Sequence, residues 1–309
     1  MVEREDVLRA RPVVAAHLHR TPLLSSRTLG ARLKCELFQR TGSFKPRGAL
    51  NKVASLGARE RARGVITISA GNHAQAVAFA AAEYGVDALV VMWAGASEPK
   101  IAATRGYGAT VDLEARGPAE AFTRLHELQE ETGRVLVHPF DDPVVVAGAG
   151  TVALEIEEDA PDADAVVVPV GGGGLISGVV AALGPSGRVR VIAVEPERSQ
   201  ALHAALAAGA PVPVEPASIA DGLNAPFVGA LALEACRGLE RHLVSEAEIE
   251  RAFRFLYERA KLACEPAGAA TTAALLAGKA GLPPEATVGA VVSGGNVDPQ
   301  KAAAILAGQ

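Results

Sequence analysis

Short apolar runs alternate with helix-length, alanine-rich segments along most of this chain, and that alternation limits the folds open to it. Val65–Ser69, Ala88–Met92, Ala109–Leu113, Val135–Val137, Ala165–Val170, Val189–Glu195 and Thr287–Ser293 read as strands. Between them, Asn72–Tyr84, Glu98–Arg105, Pro118–Thr132, Val144–Glu158 and Leu175–Leu183 read as helices. Strands that are apolar throughout and separated by helices predict an α/β fold, with parallel sheet covered by helices on both faces. Further on, Ser245-x-x-Glu248 is a capping box. It opens an amphipathic helix with Ile249, Phe253, Leu256, Tyr257 and Ala260 on one side.

Open sheets of this kind bind ligands at the carboxyl ends of their strands, and the unusual loops follow strands here. Ser69-Ala70-Gly71-Asn72-His73 follows the Val65 run, Gly171 through Gly174 follow the Ala165 run, and Ser293-Gly294-Gly295-Asn296 follows the last. Four glycines between a strand and a helix expose backbone N–H groups at a helix start, an anion cradle suited to phosphate. No Lys-Ser/Thr pair follows them, so this is not a nucleotide P-loop. Gly172-x-Gly174-x-x-Ser177 also approaches a dinucleotide fingerprint, with Glu195 where a ribose-binding acid belongs. An NAD(P)-dependent oxidoreductase is therefore a rival reading. It gives no reason for Lys45 or for the Ser293 loop.

Ser69–His73 places short polar side chains and N–H groups at another helix start, which suits a carboxylate, although Ser69 or Asn72 there is equally an N-cap. Ser293 offers a hydroxyl that donates or accepts, or it is a plain turn residue. Lys45 lies in Thr41-Gly42-Ser43-Phe44-Lys45-Pro46-Arg47-Gly48. Pro46 suits a first helical turn, so the amine stands at a helix N-terminus. The helix dipole, the nearby Arg47 and burial behind Phe44 all disfavour ammonium, and a partly neutral lysine is what imine chemistry needs. Taken alone, Lys45 reads more readily as a solvated lysine opening a surface helix, and it is the three loops that overturn this.

Composition removes several function classes. The 309 residues are 49% hydrophobic, 21% charged and 4% aromatic, with abundant alanine and glycine and a formal charge of −5. No basic block supplies a nucleic-acid patch, no apolar run spans a bilayer, and the charged N-terminus is no signal or anchor. Cys35, Cys236 and Cys264 have no metal or redox spacing, which points to reduced thiols in a cytoplasm.

TGSFKPRG, SAGNHAQ, VPVGGGG, ADGL, CEPAGAA and SGGNVD occur in the order seen in pyridoxal-phosphate enzymes of fold type II. From about Thr21 to Val297 the chain resembles their serine/threonine dehydratase and serine racemase group. The resemblance implies two domains, each an open, mostly parallel sheet flanked by helices, as in the tryptophan synthase β-like fold. Residues 1–50 and 138–309 would form the large cofactor domain and 51–137 a small domain carrying the SAGNH loop. Lys45 would be the Schiff-base lysine, with Phe44 near the pyridine ring and Asn72 on the ring hydroxyl. Gly171, Gly172, Gly173 and Gly174 with Leu175 would hold the phosphate. Gly222 would line the ring and Ser293 would face its nitrogen. Ser69, Ala70, Gly71, Asn72 and His73 would receive the substrate carboxylate.

Pro46 after the lysine and histidine at position 73 favour the dehydratases over cysteine and threonine synthases, which carry aspartate and threonine there. Serine racemases have a second, proton-shuttling serine where this chain has Ala70. His138-Pro139-Phe140-Asp141 also looks like threonine dehydratase. Some relatives bind a cation. Glu195 and Ser199 match part of that site, but Ala201 stands where a second carboxylate is needed. The resemblance thus implies a threonine dehydratase, with serine as a second substrate and Lys45 as general base. Serine or aspartate racemase and 3-hydroxyaspartate dehydratase are the alternatives. It further implies a homodimer or homotetramer without a C-terminal regulatory domain.

Overall fold

A computed structural model describes residues 1–184, 187–283 and 285–308. Among them ten strands form two sheets. The strands are β1 (Leu23–Ser26), β2 (Ala31–Cys35), β3 (Val65–Ile68), β4 (Ala88–Trp93), β5 (Thr110–Ala115), β6 (Val135–Leu136), β7 (Ala165–Pro169), β8 (Arg190–Pro196), β9 (Glu240–Val244) and β10 (Val288–Val292). One sheet has the order β1-β2-β10-β7-β8-β9 and the other β5-β4-β3-β6. Every pairing is parallel except the β1–β2 edge hairpin. Strands β3, β7 and β10 are buried at every residue, which explains why their sequences are apolar without alternation. The predicted two-sheet, mostly parallel architecture is therefore present, with strand and helix ends shifted by one or two residues.

Helix Pro143–Asp159 is the hub of the molecule, and small residues make it so. A Cβ on Gly148 would overlap the Arg47 carbonyl, and one on Gly48 would come within 2.6 Å of the Val145 oxygen. Helix Lys45–Ala54 thus lies backbone to backbone on the hub. A Cβ on Gly150 would come within 2.6 Å of the Gly178 oxygen, so helix Gly174–Leu183 docks in the same manner on another side of the hub. The lysine and the glycine loop hang from one rod. Close helix packing is what the alanine and glycine content implied, but the tightest seams are helix on helix rather than helix on sheet.

Beneath the lysine helix lies a largely buried ion cluster. The Arg47 guanidinium binds Glu36 through Nε and Nη2, both at 2.8 Å, and Glu155 at 2.7 and 3.0 Å. Lys34, also buried, donates to the Thr21 carbonyl at 2.6 Å and pairs with Glu155 at 2.6 Å. Burial works against ionisation of Glu155, but Arg47 and Lys34 outweigh it and hold the carboxyl below its usual range. Two cations thus face two carboxylates, joining β2, the lysine helix and the hub.

The capping box forms as read. Ser245 Oγ accepts from the Glu248 N–H and Glu248 Oε2 from the Ser245 N–H. The helix it starts, Glu246–Phe255, ends in a wider π turn across Leu256–Ala260.

Candidate active site

Four loops meet at the carboxyl ends of the strands. The Ser43 segment bridges to Gly294, and the Phe44 N–H donates to the Ser293 carbonyl at 3.1 Å. Glu265 N–H donates to the Gly294 carbonyl at 3.0 Å. The Asn72 amide reaches Glu265 Oε1 at 2.8 Å.

Lys45 opens its helix with Pro46 in the first turn, and its Nζ donates to the Pro139 carbonyl at 2.9 Å. The amine lies 5.2 Å from the centre of the Phe44 ring. Burial lowers its pKa to about 8, against an opposing pull from Glu265. One part of the sequence argument fails here. Arg47 is neutralised by Glu36 and Glu155 in the buried cluster, so desolvation rather than a neighbouring cation frees the amine.

The glycine loop is built as an anion site. Among the described residues no hydrogen bond is made by the backbone N–H groups of Gly171, Gly172, Gly173, Gly174 or Leu175. A Cβ on Gly172 would sit inside the Phe140 ring, and one on Gly174 would lie 3.0 Å from Phe140 Cα. Gly173 has φ +92°, and a methyl there would overlap Ala232 Cβ. Crowding from behind therefore requires bare backbone, and the N–H groups stay available at the start of helix Gly174–Leu183. Gly173→Ala should cost roughly 2–4 kcal/mol, about 1–3 from overpacking and the rest from the left-handed backbone. Thermal unfolding should show this loss, and a neutral result would remove the packing argument for the loop.

At the other loop, Ser69 Oγ accepts from the Gly71 N–H at 3.1 Å, so Ser69 shapes a turn and is not the N-cap. Helix Asn72–Glu83 starts without a side-chain cap, and among the described residues the N–H groups of Asn72, His73 and Ala74 have no partner. The loop thus presents a second set of bare donors, as a carboxylate needs. His73 contributes only its backbone. Its imidazole is buried, bonds the Val137 carbonyl at 2.9 Å, and is pushed down to about 3 by desolvation and then by Lys45. Ala70 packs its methyl toward the core of the four-stranded sheet.

Glu265, which the sequence reading left without a role, is buried at the centre of the cleft. A Cβ on Gly294 would come within 2.6 Å of its Oε1 and one on Gly222 within 3.3 Å. Burial and then Asp221 push its carboxyl up to about 7. Position 265 precedes Pro266 at a helix start, and only the fold reveals where its side chain goes.

Glu195 has other employment. Both Glu195 oxygens are taken by the Leu202 and His203 N–H groups at 2.7 and 3.0 Å and by His203 Nδ1 at 2.5 Å, which caps helix Ala201–Ala208 from the preceding strand. Ser199 Oγ donates to the Leu223 carbonyl at 2.8 Å. Among the described residues no three His, Cys, Asp or Glu side chains gather as a metal cluster. The commitment of Glu195 also removes the ribose-binding acid that a dinucleotide site requires.

A buried amine of lowered pKa faces a cradle of free N–H groups, with Asn72, Gly222, Glu265 and Ser293 around the space between. These residues fit a phosphorylated pyridine aldehyde. A family model described as pyridoxal-phosphate dependent enzyme matches residues 14–294. The chain belongs to this family. It is 45% identical to the L-threonine ammonia-lyase of Thermotoga maritima over 96% of this chain and 76% of that protein. Among solved structures, maize serine racemase superposes with a TM-score of 0.92 at 36% identity, covering 97% of this chain and 95% of the racemase. The threonine deaminase of T.th. gives 0.89 at 40% identity, covering 96% of this chain and 99% of the deaminase. The pyridoxal-phosphate family thus supplies the cofactor that the cradle and the lysine suit. Among the described residues no helix is long and apolar enough to cross a membrane.

Proposed function

We propose that this pyridoxal-phosphate dependent enzyme eliminates water from L-threonine and releases 2-oxobutanoate and ammonia, with L-serine giving pyruvate. The observation that carries the reading is the pairing of the low-pKa Lys45 amine with the bare N–H cradle of Gly171–Leu175. Similarity at 40–45% identity to proteins named threonine ammonia-lyase and threonine deaminase supplies the substrate class.

In this reading Gly171 through Gly174 and Leu175 hold the phosphate, Asn72 donates to the ring hydroxyl, Phe44 and Gly222 flank the ring, and Ser293 meets its nitrogen. The bound cofactor supplies an aldehyde for the amino group and a ring that withdraws electrons from the Cα–H bond. The bare N–H groups of Asn72 and His73, with the Ser69 turn, receive the substrate carboxylate and fix which Cα bond faces Lys45. The Lys45 amine is the group that would accept the Cα proton as general base. Neutral Ser293 leaves the ring nitrogen less protonated than a carboxylate would, which favours prompt loss of the β-hydroxyl. Ala70 has no proton to give on the opposite face, so elimination is favoured over racemisation. Residues 51–137, with their own sheet, are assigned to the smaller, substrate-carboxylate side of the site.

A panel of L-threonine, L-serine, D-serine and 3-hydroxyaspartate, read by keto-acid release and chiral analysis, tests the proposal. Threonine should show the highest kcat/KM. Formation of the opposite enantiomer faster than keto acid would replace the dehydratase reading with the racemase one.

A further inference from the structure

The orientation of Asn72 is decided from behind the cleft. Asn296 Nδ2 donates to the Thr41 carbonyl at 2.6 Å and to Asn72 Oδ1 at 2.8 Å. A backbone carbonyl only accepts, so it fixes which end of Asn296 is the amide nitrogen. That nitrogen fixes the oxygen of Asn72, which leaves the Asn72 Nδ2 to donate to Glu265 Oε1 at 2.8 Å. Carboxylate or carboxylic acid, Glu265 keeps an accepting oxygen for this contact. Turning Asn72 over would set N–H against N–H at Asn296 and oxygen against oxygen at Glu265.

The chain is anchored in strained backbone. Thr41 has φ +60° and ψ 10°, a left-handed conformation that β-branched residues rarely adopt. A Cβ on the following Gly42 would meet Asn296 Oδ1 at 2.5 Å, and the Gly42 carbonyl accepts from the Gly295 N–H at 2.9 Å. Strain of this kind persists where the surroundings over-determine it, and it clusters at functional sites. Here it aims the Thr41 carbonyl at Asn296.

Resting on the reading of this cleft as a pyridoxal-phosphate site, we infer that Asn296 is a positioning residue that locks Asn72 as a donor only. One Asn72 N–H is taken by Glu265 and the second is left for the cofactor's ring oxygen. Asn296 itself never touches the cofactor.

A double-mutant cycle on cofactor binding tests this. Resolved wild-type protein, Asn296→Ala, Asn72→Ala and the double variant are titrated with pyridoxal phosphate. Binding is read from the lysine–cofactor absorption band, and thermal midpoints are recorded alongside. Each single change should weaken binding about tenfold, the size of one charge-assisted hydrogen bond. Because Asn296 acts through Asn72, the double variant should bind no more weakly than the worse single. Independent factors multiplying to about a hundredfold would overturn the inference, as would an Asn296→Ala protein binding within about twofold of wild type. Should that variant not fold, Asn296→Asp has nearly the same volume and replaces the donor by an acceptor, and it should show the same tenfold loss. Wild-type protein that forms no band sinks the cofactor reading with this one, and reveals itself before any substitution is made.

Discussion

Replacing Lys45 by alanine is expected to lower kcat by about a thousandfold or more and to abolish the lysine–cofactor band. The size follows from the two tasks proposed for the lysine, anchoring the cofactor and taking the Cα proton, neither of which a methyl group performs. Spectra and steady-state rates of the purified variant check it, and retained turnover with a normal band would move the chemistry to another amine. The same residue carries a pH signature in the cofactor-free protein. With a pKa of about 8, about a tenth of the amine is neutral at pH 7, whereas an ordinary lysine has about one part in several thousand. The folded pKa lies below the unfolded one, so only the unfolded chain still binds this proton between about 8 and 10.5. Stability of the apoprotein should therefore gain from Lys45 as pH rises through that window, and the alanine variant should lack the gain.

Arg47→Ala is expected to cost about 3–5 kcal/mol of stability, because it leaves Glu36 buried without a cation and Glu155 with Lys34 alone. An exposed ion pair would cost less than about 1 kcal/mol, so denaturant unfolding distinguishes the two cases cleanly. Arg47→Lys should rescue little, since an ammonium cannot hold two carboxylates in the forked geometry seen here. The cluster lies against the helix that begins with Lys45. Partly folded variants should therefore also lose the cofactor band before they lose secondary structure.

The parts of this molecule that were legible in the sequence are those whose requirement is local. Parallel strands buried along most of their length must be mainly apolar, so β3, β4, β7, β8 and β10 stood out. A loop that must bare its N–H groups against Phe140 and Ala232 has to be glycine, so Gly171–Gly174 announced their chemistry. Helix Pro266–Leu276 escaped notice because it is buried on nearly all sides and so shows no polar face and no period. The short edge strands β1 and β9 and the neighbouring β2 lack the length or apolar continuity that marks the other interior ones. Side chains whose meaning depends on distant partners were misread or passed over. Arg47 looked like a cation beside Lys45 until Glu36 and Glu155 came to meet it. Glu195 looked like a ligand until the helix ahead of it claimed both oxygens. Glu265 had no role until the fold turned it into the cleft.

The two glycine seams on helix Pro143–Asp159 act as a fixed ruler. Neither the lysine helix nor the phosphate helix can slide along that rod, because no methyl group's worth of slack exists at Gly148 or Gly150. The span from amine to anion cradle is therefore set by peptide backbone rather than by adjustable side chains. Such a protein is exacting about the length of its vitamin, so pyridoxal without its phosphate is a poor substitute.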